Sequence, residues 1–150
     1  MLPTNDFFEI KSFRDLSLDA LYDILNLRLK IFVVEQNCVY LDTDYLDQIS
    51  EHVSYYVNNQ LVAYVRIIPI STQNKNIVIG RVVCNHEFRN QGIGKKIMQH
   101  AIDYIGPHTI KIGAQLYLKN FYESLGFQQI SEEYDLDGIP HIDMKKLPKE

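Results

Sequence analysis

The chain has no tryptophan and only two cysteines in 150 residues. Cys38 and Cys84 stand far apart and without metal-ligand spacing, so the sequence carries no disulfide framework and no cysteine metal site, and both read as reduced thiols. A basic excess is also missing. Lys and Arg number 15 against 19 Asp and Glu, a formal charge of -4, which leaves no surplus cation to bind nucleic acid or an anionic membrane. No apolar run approaches membrane-spanning length, and Met1-Leu2-Pro3-Thr4-Asn5-Asp6 lacks the positive start and apolar core of a secretory leader, so a cytoplasmic protein is expected. No repeat, low-complexity tract or linker divides the sequence, and its 46% hydrophobic content suits one core, so residues 1–150 are expected to form a single domain.

What is present alternates between strand and helix signals. Phe7 to Phe13 reads as a first strand. Ser17 can cap a helix from Leu18 to about Val33, with Leu18, Leu21, Leu25 and Phe32 on its apolar side. Cys38 to Glu51 has no clean period and interleaves Asp42, Asp44 and Asp47 with Tyr40, Leu41, Tyr45 and Leu46, as an ordered loop or a short turn of helix would. His52 to Val57 and Leu61 to Ile70, joined by Asn58-Asn59-Gln60, form a hairpin. Ser71 to Asn76 reads as a hairpin loop leading to a strand at Ile77 to Cys84. A helix from Gln91 to Ile105 carries Ile93, Ile97, Ala101 and Ile105 every fourth residue, and His108 to Gln115 is the next strand. A short helix from about Leu118 stops at Gly126. Phe127 to Tyr134 and His141 to Lys146 close the chain around an Asp137-Gly138 turn. The strand, helix, strand succession implies one right-handed parallel crossover, with the ligand site at the carboxyl ends of its strands. The expected fold is mixed α/β in three α/β/α layers, with antiparallel hairpins beside that crossover.

Within the crossover, Arg89-Asn90-Gln91-Gly92-Ile93-Gly94 joins the strand to the helix. Glycines before a helix N-terminus let an anion approach unsatisfied N–H groups and the positive end of the helix dipole, although the same pair serves equally as a tight turn. A P-loop needs a glycine where Arg89 stands and Ser or Thr where Lys96 stands. A dinucleotide fingerprint needs a third glycine where Ile97 stands.

These residues resemble the GNAT superfamily of N-acetyltransferases. Arg89, Gly92 and Gly94 match its coenzyme A motif, Arg/Gln-x-x-Gly-x-Gly/Ala, and Tyr122-Glu123-Ser124-Leu125-Gly126-Phe127 matches its Tyr-x-x-x-Gly-Phe motif. Leu27-Arg28, Phe32 to Cys38 and Asp137 to Ile142 look like the ElaA-like branch, so the resemblance spans nearly the whole chain. It implies acetyl-CoA as co-substrate and an amine acceptor as the other partner, with no metal, and it leaves a homodimer open. It places Asn90, Gln91, Gly92, Ile93, Gly94 and Lys95 around a pyrophosphate. Val82, Val83 and Cys84 would pair through their backbone with the pantetheine arm, and Gln115 and Asn120 are further cofactor contacts.

The resemblance also assigns Tyr122 as the acid that protonates the departing thiolate. An acceptor amine must lose a proton, at a cost of about 4–5 kcal/mol for a lysine-like amine at neutral pH. Glu35 and His52 are the expected bases, with His141, Asp42, Asp44 and His86 as alternatives. Arg28, Arg66 and Arg81 lie in apolar runs and need carboxylate partners, from Glu35 or the acidic segment; recognition of a substrate carboxylate is the other role open to them. The segment Asp42 to Asp47 would favour a cationic acceptor. The expected function is direct transfer of acetyl from acetyl-CoA to the amine of a small molecule or peptide. The alternatives are a non-catalytic acyl-CoA sensor and an acyltransferase like the acyl-homoserine lactone synthases.

Overall fold

The structure, a computed structural model, describes residues 5–149, so Met1 to Thr4, which bear on the question of a leader, lie outside it. The strands are β1 (Asp6–Ser12), β2 (Glu51–Val57), β3 (Gln60–Ile68), β4 (Ile77–Cys84), β5 (Ile110–Gln115), β6 (Gln128–Gln129), β7 (Tyr134–Leu136) and β8 (Ile139–Lys146), of which the central β2, β3 and β4 come from Val-, Ile- and Tyr-bearing runs. They make one sheet in the order β1-β2-β3-β4-β5-β8-β6, with β7 also paired to β8. Two reversals use left-handed pairs, Asn58-Asn59 (φ 48° and 66°) and Asp137-Gly138 (φ 54° and 81°), because positive φ at both central residues matches the twist of the strands they join. The expected Phe127 to Tyr134 strand is reduced to β6. There the Ser131 hydroxyl, rather than a backbone carbonyl, accepts the Asp143 amide at 2.8 Å and ends the ladder.

Helices cover both faces, as the three-layer expectation requires. On one face α2 (Ile93–Ile105) and α3 (Lys119–Ser124) bury Ile97, Met98, Ala101 and Tyr122 against β2 to β5 and β8. On the other, α1 (Leu18–Arg28) packs Ile24 and Leu27 against Tyr64 and Val83. Ser17 caps α1 by accepting the Ala20 amide at 3.0 Å. The inward face of α1 differs from the expected one: Ile24, Leu27, Arg28 and Ile31 are buried, while Leu18 is 86% exposed. Residues Leu29–Glu35 form a π-helix, in which the Gln36 amide reaches back to the Ile31 carbonyl at 3.0 Å. A regular helix cannot accommodate that extra residue per turn, and it delivers Glu35 and Gln36 to the centre of the sheet.

The crossover β4-α2-β5 is parallel, but β4 and β5 pair only at Ile77 with Ile110 and Val78 with Lys111. Beyond that point they part. In β4 the register against β3 shifts between Tyr64 and Arg66, and Arg81 lies in the left-handed region at φ 51°. This β-bulge bends the strand. It also exchanges its faces: Val82 and Cys84 join Ile79 on the α2 side, and Val83 turns to the α1 side. With strict alternation Arg81 would share the apolar face of Ile79; the bulge releases it toward Asp42 and Asp44.

Those aspartates belong to a six-member charge cluster beneath α1. Arg28, fully buried, holds Asp42 at 2.8 Å and Asp47 at 2.8 Å. Arg66 holds Asp44 at 2.7 Å and Asp47 at 3.0 Å, and Arg81 meets Asp42 at 2.9 Å and Asp44 at 3.3 Å. Three arginines balance three aspartates, so pairing with the acidic segment is the arrangement adopted, and the carboxylates expected to attract a cationic acceptor are occupied.

The cluster makes stability depend on acid. Burial by itself would raise the Asp44 carboxyl, but bonds from Arg66 and the Leu46 amide, with the charges of Arg66 and Arg81, outweigh it and hold the group at about 2, against an ordinary 3.8. A depressed carboxyl contributes stability above its unfolded value that is lost as pH falls through its folded value. Melting temperature is therefore expected to drop between about pH 4 and pH 2, and Asp44→Asn to flatten that drop in a pH series of thermal melts. An equally steep drop in the variant would remove Asp44 from the account.

Candidate active site

The parting of β4 and β5 opens a cleft of about 920 Å³. Its walls are the carboxyl-terminal halves of β4 and β5, the end of the π-helix, the start of α2, the region from Tyr117 to Tyr122 and the β7–β8 hairpin. Val82, Val83 and Cys84 line it. On their other side Val83 and Cys84 pair with Tyr64 and Ala63 of β3, so the edge turned to β5 has backbone groups free for an extended amide-bearing ligand. Burial pushes the Cys84 thiol up, which keeps it protonated.

At one end of the cleft is the glycine turn. Gly92, at φ 76°, caps α2, and the first helical bond there is donated by Lys96 to the Gly92 carbonyl at 3.1 Å. The amides of Ile93, Gly94 and Lys95 precede that bond and have no helical acceptor. A Cβ at Gly92 would meet nothing within 4 Å, whereas one at Gly94 would touch the Phe121 ring at 3.6 Å. The turn is thus open toward the cleft and closed toward α3. Asn90, Gly92, Ile93, Gly94 and Lys95 line the cleft; Gln91 is exposed and outside the lining. This cradle, together with the free β4 edge, fits a long ligand that ends in phosphate.

Tyr122 reaches the cleft from α3, 5% exposed and edge-on to both Phe121 and Phe127. Burial, aided by Tyr117, raises its hydroxyl above the ordinary tyrosine range, so it stays protonated. The hydroxyl has no hydrogen-bond partner among the described residues, yet it is not among the buried unpaired atoms, so it opens onto the cleft.

The two expected bases are placed differently from the sequence reading. His52 is 1% exposed and does not line the cleft. Its Nδ1 is 2.6 Å from the Tyr64 hydroxyl and its Nε2 is 2.9 Å from the Asp47 carbonyl, while burial lowers its proton affinity. With both nitrogens occupied it braces the charge cluster, and the expectation that it acts as base is corrected. Glu35 does line the cleft, but Arg89 binds it at 3.0 and 2.5 Å. That bond, first among the causes, holds its carboxyl below the usual range and makes it a poor proton acceptor. Arg89, itself in the cleft lining, accordingly ties the end of the π-helix to the glycine turn.

Gln115, also in the lining, exchanges amide hydrogen bonds with Gln36 at 3.3 and 3.2 Å. This pair straps the π-helix end to β5. Asn120 is exposed on α3 and does not line the cleft.

His141 is the imidazole that the fold does bring to the cleft. It faces Gln115 across the β5–β8 ladder and stacks on Tyr134, whose hydroxyl is bonded to Asp143. Its Nδ1 is 2.7 Å from the Ile139 carbonyl. A carbonyl can only accept, so the neutral ring carries its proton on Nδ1 and keeps a lone pair on Nε2.

Sequence reasoning missed the cleft's contributions from Gln36, Tyr40, Leu136 and Asp137, and the turning of Arg81. Gly80 was the available signal for the last, since glycine inside a Val/Ile strand often marks a bulge.

A family model described as Acetyltransferase (GNAT) domain matches residues 31–148. Protein ElaA of Escherichia coli is 39% identical over 138 residues, 88% of this chain and 90% of that protein. Its crystal structure has a TM-score of 0.88 and 36% identity, over 95% of this chain and 99% of that one. The crystal structure of an acyl-CoA N-acyltransferase from Pseudomonas aeruginosa has a TM-score of 0.90 at 34% identity, over 95% and 99% of the two chains. An aminoglycoside 6'-N-acetyltransferase complexed with coenzyme A shares the fold, at 18% identity and a TM-score of 0.68 over 95% and 99%.

Proposed function

Because the chain belongs to the GNAT acetyltransferase family, we propose that it transfers acetyl directly from acetyl-CoA to the amine of a small molecule or peptide, with both substrates in the cleft together. The observation that carries the reading is the Tyr122 hydroxyl opening onto the same cleft as the glycine turn and the free edge of β4. The acetyl thioester is the activated acyl group. The amides of Ile93 to Lys95 bind the pyrophosphate, helped by the Lys95 charge, and Val82 to Cys84 hold the pantetheine arm by backbone alone. Burial of that arm along β4 excludes water that would otherwise hydrolyse the thioester.

His141 takes the proton that the amine nitrogen gives up, through its Nε2 lone pair and with water as relay where the amine is out of direct reach. As the new C–N bond forms and the C–S bond breaks, Tyr122 gives its proton to the leaving sulfur. The two unpaired cysteines suit a reducing compartment, which supports a cytoplasmic location. Among the described residues no group of His, Cys, Asp or Glu could hold a metal, and no helix is long and apolar enough to cross a membrane.

The test is release of free thiol from acetyl-CoA across a panel of amines. His141→Gln should lose about tenfold in rate with coenzyme A binding kept, the lower end of what a positioned base supplies. An unchanged rate in the variant would assign proton removal to water. Tight acetyl-CoA binding with no thiol release on any amine would favour a sensor.

A further inference from the structure

Arg81 has no part in holding acetyl-CoA or moving protons in the reading above, on which this inference rests, yet it is the arginine of the charge cluster with the most open side chain. Arg28 and Arg66 are 0% and 3% exposed at the side chain; Arg81 is 23% exposed and lines the cleft. Its position is imposed by the β4 bulge, which holds a residue other than glycine at φ 51°. Strained dihedrals of that kind persist only where the surroundings over-determine them, and they cluster at functional sites.

The surroundings do so here. Nη2 donates to the Asp42 carbonyl at 3.0 Å and lies 3.3 Å from Asp44 Oδ2; Nε lies 2.9 Å from Asp42 Oδ1; the Tyr40 ring is 5.7 Å from the guanidinium carbon. Tyr40 is itself held by donating its hydroxyl to Asp42 at 2.5 Å. Nε, though 2.9 Å from Asp42 Oδ1, is sealed without a well-directed hydrogen bond, whereas Nη1 has no partner among the described residues and is not among the sealed polar atoms. On a residue that lines the cleft, the two Nη1 donors are thus left open to a ligand, with the ordering cost met in the free protein.

We propose that Arg81 reads a carboxylate on the acceptor, so that the substrate is an amino-carboxylate such as a free amino acid rather than a simple amine. A guanidinium stays charged at any working pH, is weakly hydrated, and presents N–H groups in a plane that matches a carboxylate. The opposite wall supplies the complement. His141 and Asp137, on β8 and its hairpin, line the same cleft, and β8 is separated from β4 only by β5. A short molecule spans the two walls, its nitrogen toward His141 and Asp137 and its carboxylate toward Arg81.

The experiment compares free L-amino acids with their carboxamides as acceptors, by thiol release from acetyl-CoA with the full chain. The wild type is expected to favour the acids at least tenfold in kcat/KM. Arg81→Met should bring that ratio close to one, chiefly through KM, and Arg81→Lys should restore part of it; the lysine variant guards against a failure of Arg81→Met to fold. Calorimetry with N-acetyl amino acids and N-acetyl amino-acid amides, in the presence of coenzyme A, reads the same preference without turnover. A ratio near one in the wild type, a preference that survives in both variants, or calorimetric binding of neither product would overturn the inference. Absence of any coenzyme A binding would instead overturn the acetyltransferase reading.

Discussion

Gly92→Asp is expected to abolish the rise in melting temperature that coenzyme A produces in the wild-type chain. A ligand present at a hundred times its Kd stabilises the native state by about 2.7 kcal/mol, and that contribution is the one lost. Space is not the reason, since a Cβ at this position meets nothing within 4 Å. The dihedral is part of it: φ is 76°, where an L side chain costs roughly 1–2 kcal/mol. Asn and Asp tolerate that region better than other residues, so Gly92→Asn isolates the backbone term and Gly92→Asp adds a negative charge where the pyrophosphate must come close to free amides. Thermal melts of both variants, with and without coenzyme A, are expected to show partial stabilisation of the asparagine variant and none of the aspartate one. Equal stabilisation of Gly92→Asp and wild type would move the phosphates off the glycine turn.

Tyr122→Phe is expected to leave coenzyme A binding nearly unchanged and to lower turnover by roughly ten- to a thousand-fold, the range for losing a positioned proton donor. The substitution is unusually clean. The ring packs edge-on to Phe121 and Phe127, contacts that phenylalanine keeps, and no group among the described residues is hydrogen-bonded to the hydroxyl and would be left unpaired. Stability is thus expected to hold while kcat falls. A drop in coenzyme A affinity matching the drop in rate would recast Tyr122 as a binding contact, and unchanged turnover would remove it from the mechanism.

The two residues expected from the sequence to take the proton are both held by partners in the fold. His52 opens β2 and Glu35 ends the first helical segment, and sequence position put both near the acceptor. The fold spends His52 on Tyr64 and Asp47, and Glu35 on Arg89. A titratable side chain is available for catalysis only after its hydrogen bonds have been counted, and those partners come from residues distant in sequence. His141 shows the converse: the Ile139 carbonyl, two residues away, fixes its tautomer, but only the pairing of β8 with β5 puts the ring in the cleft.

The sequence by itself determined the layered α/β class, the crossover around the glycine turn, the two asparagine- and glycine-bearing hairpin turns, and the need of Arg28, Arg66 and Arg81 for carboxylates. Each of these follows from local periodicity, from dihedral preferences, or from the cost of burying an unpaired charge, all of which act over a few residues or through composition. Tertiary structure alone decided where β4 leaves β5, that the helix before Gln36 widens to a π turn, which face of β4 carries Arg81, and which imidazole keeps a free nitrogen. Those outcomes depend on register and on hydrogen-bond partners brought together across the sheet, where a shift of one residue reverses a side chain's face while leaving the local pattern unchanged.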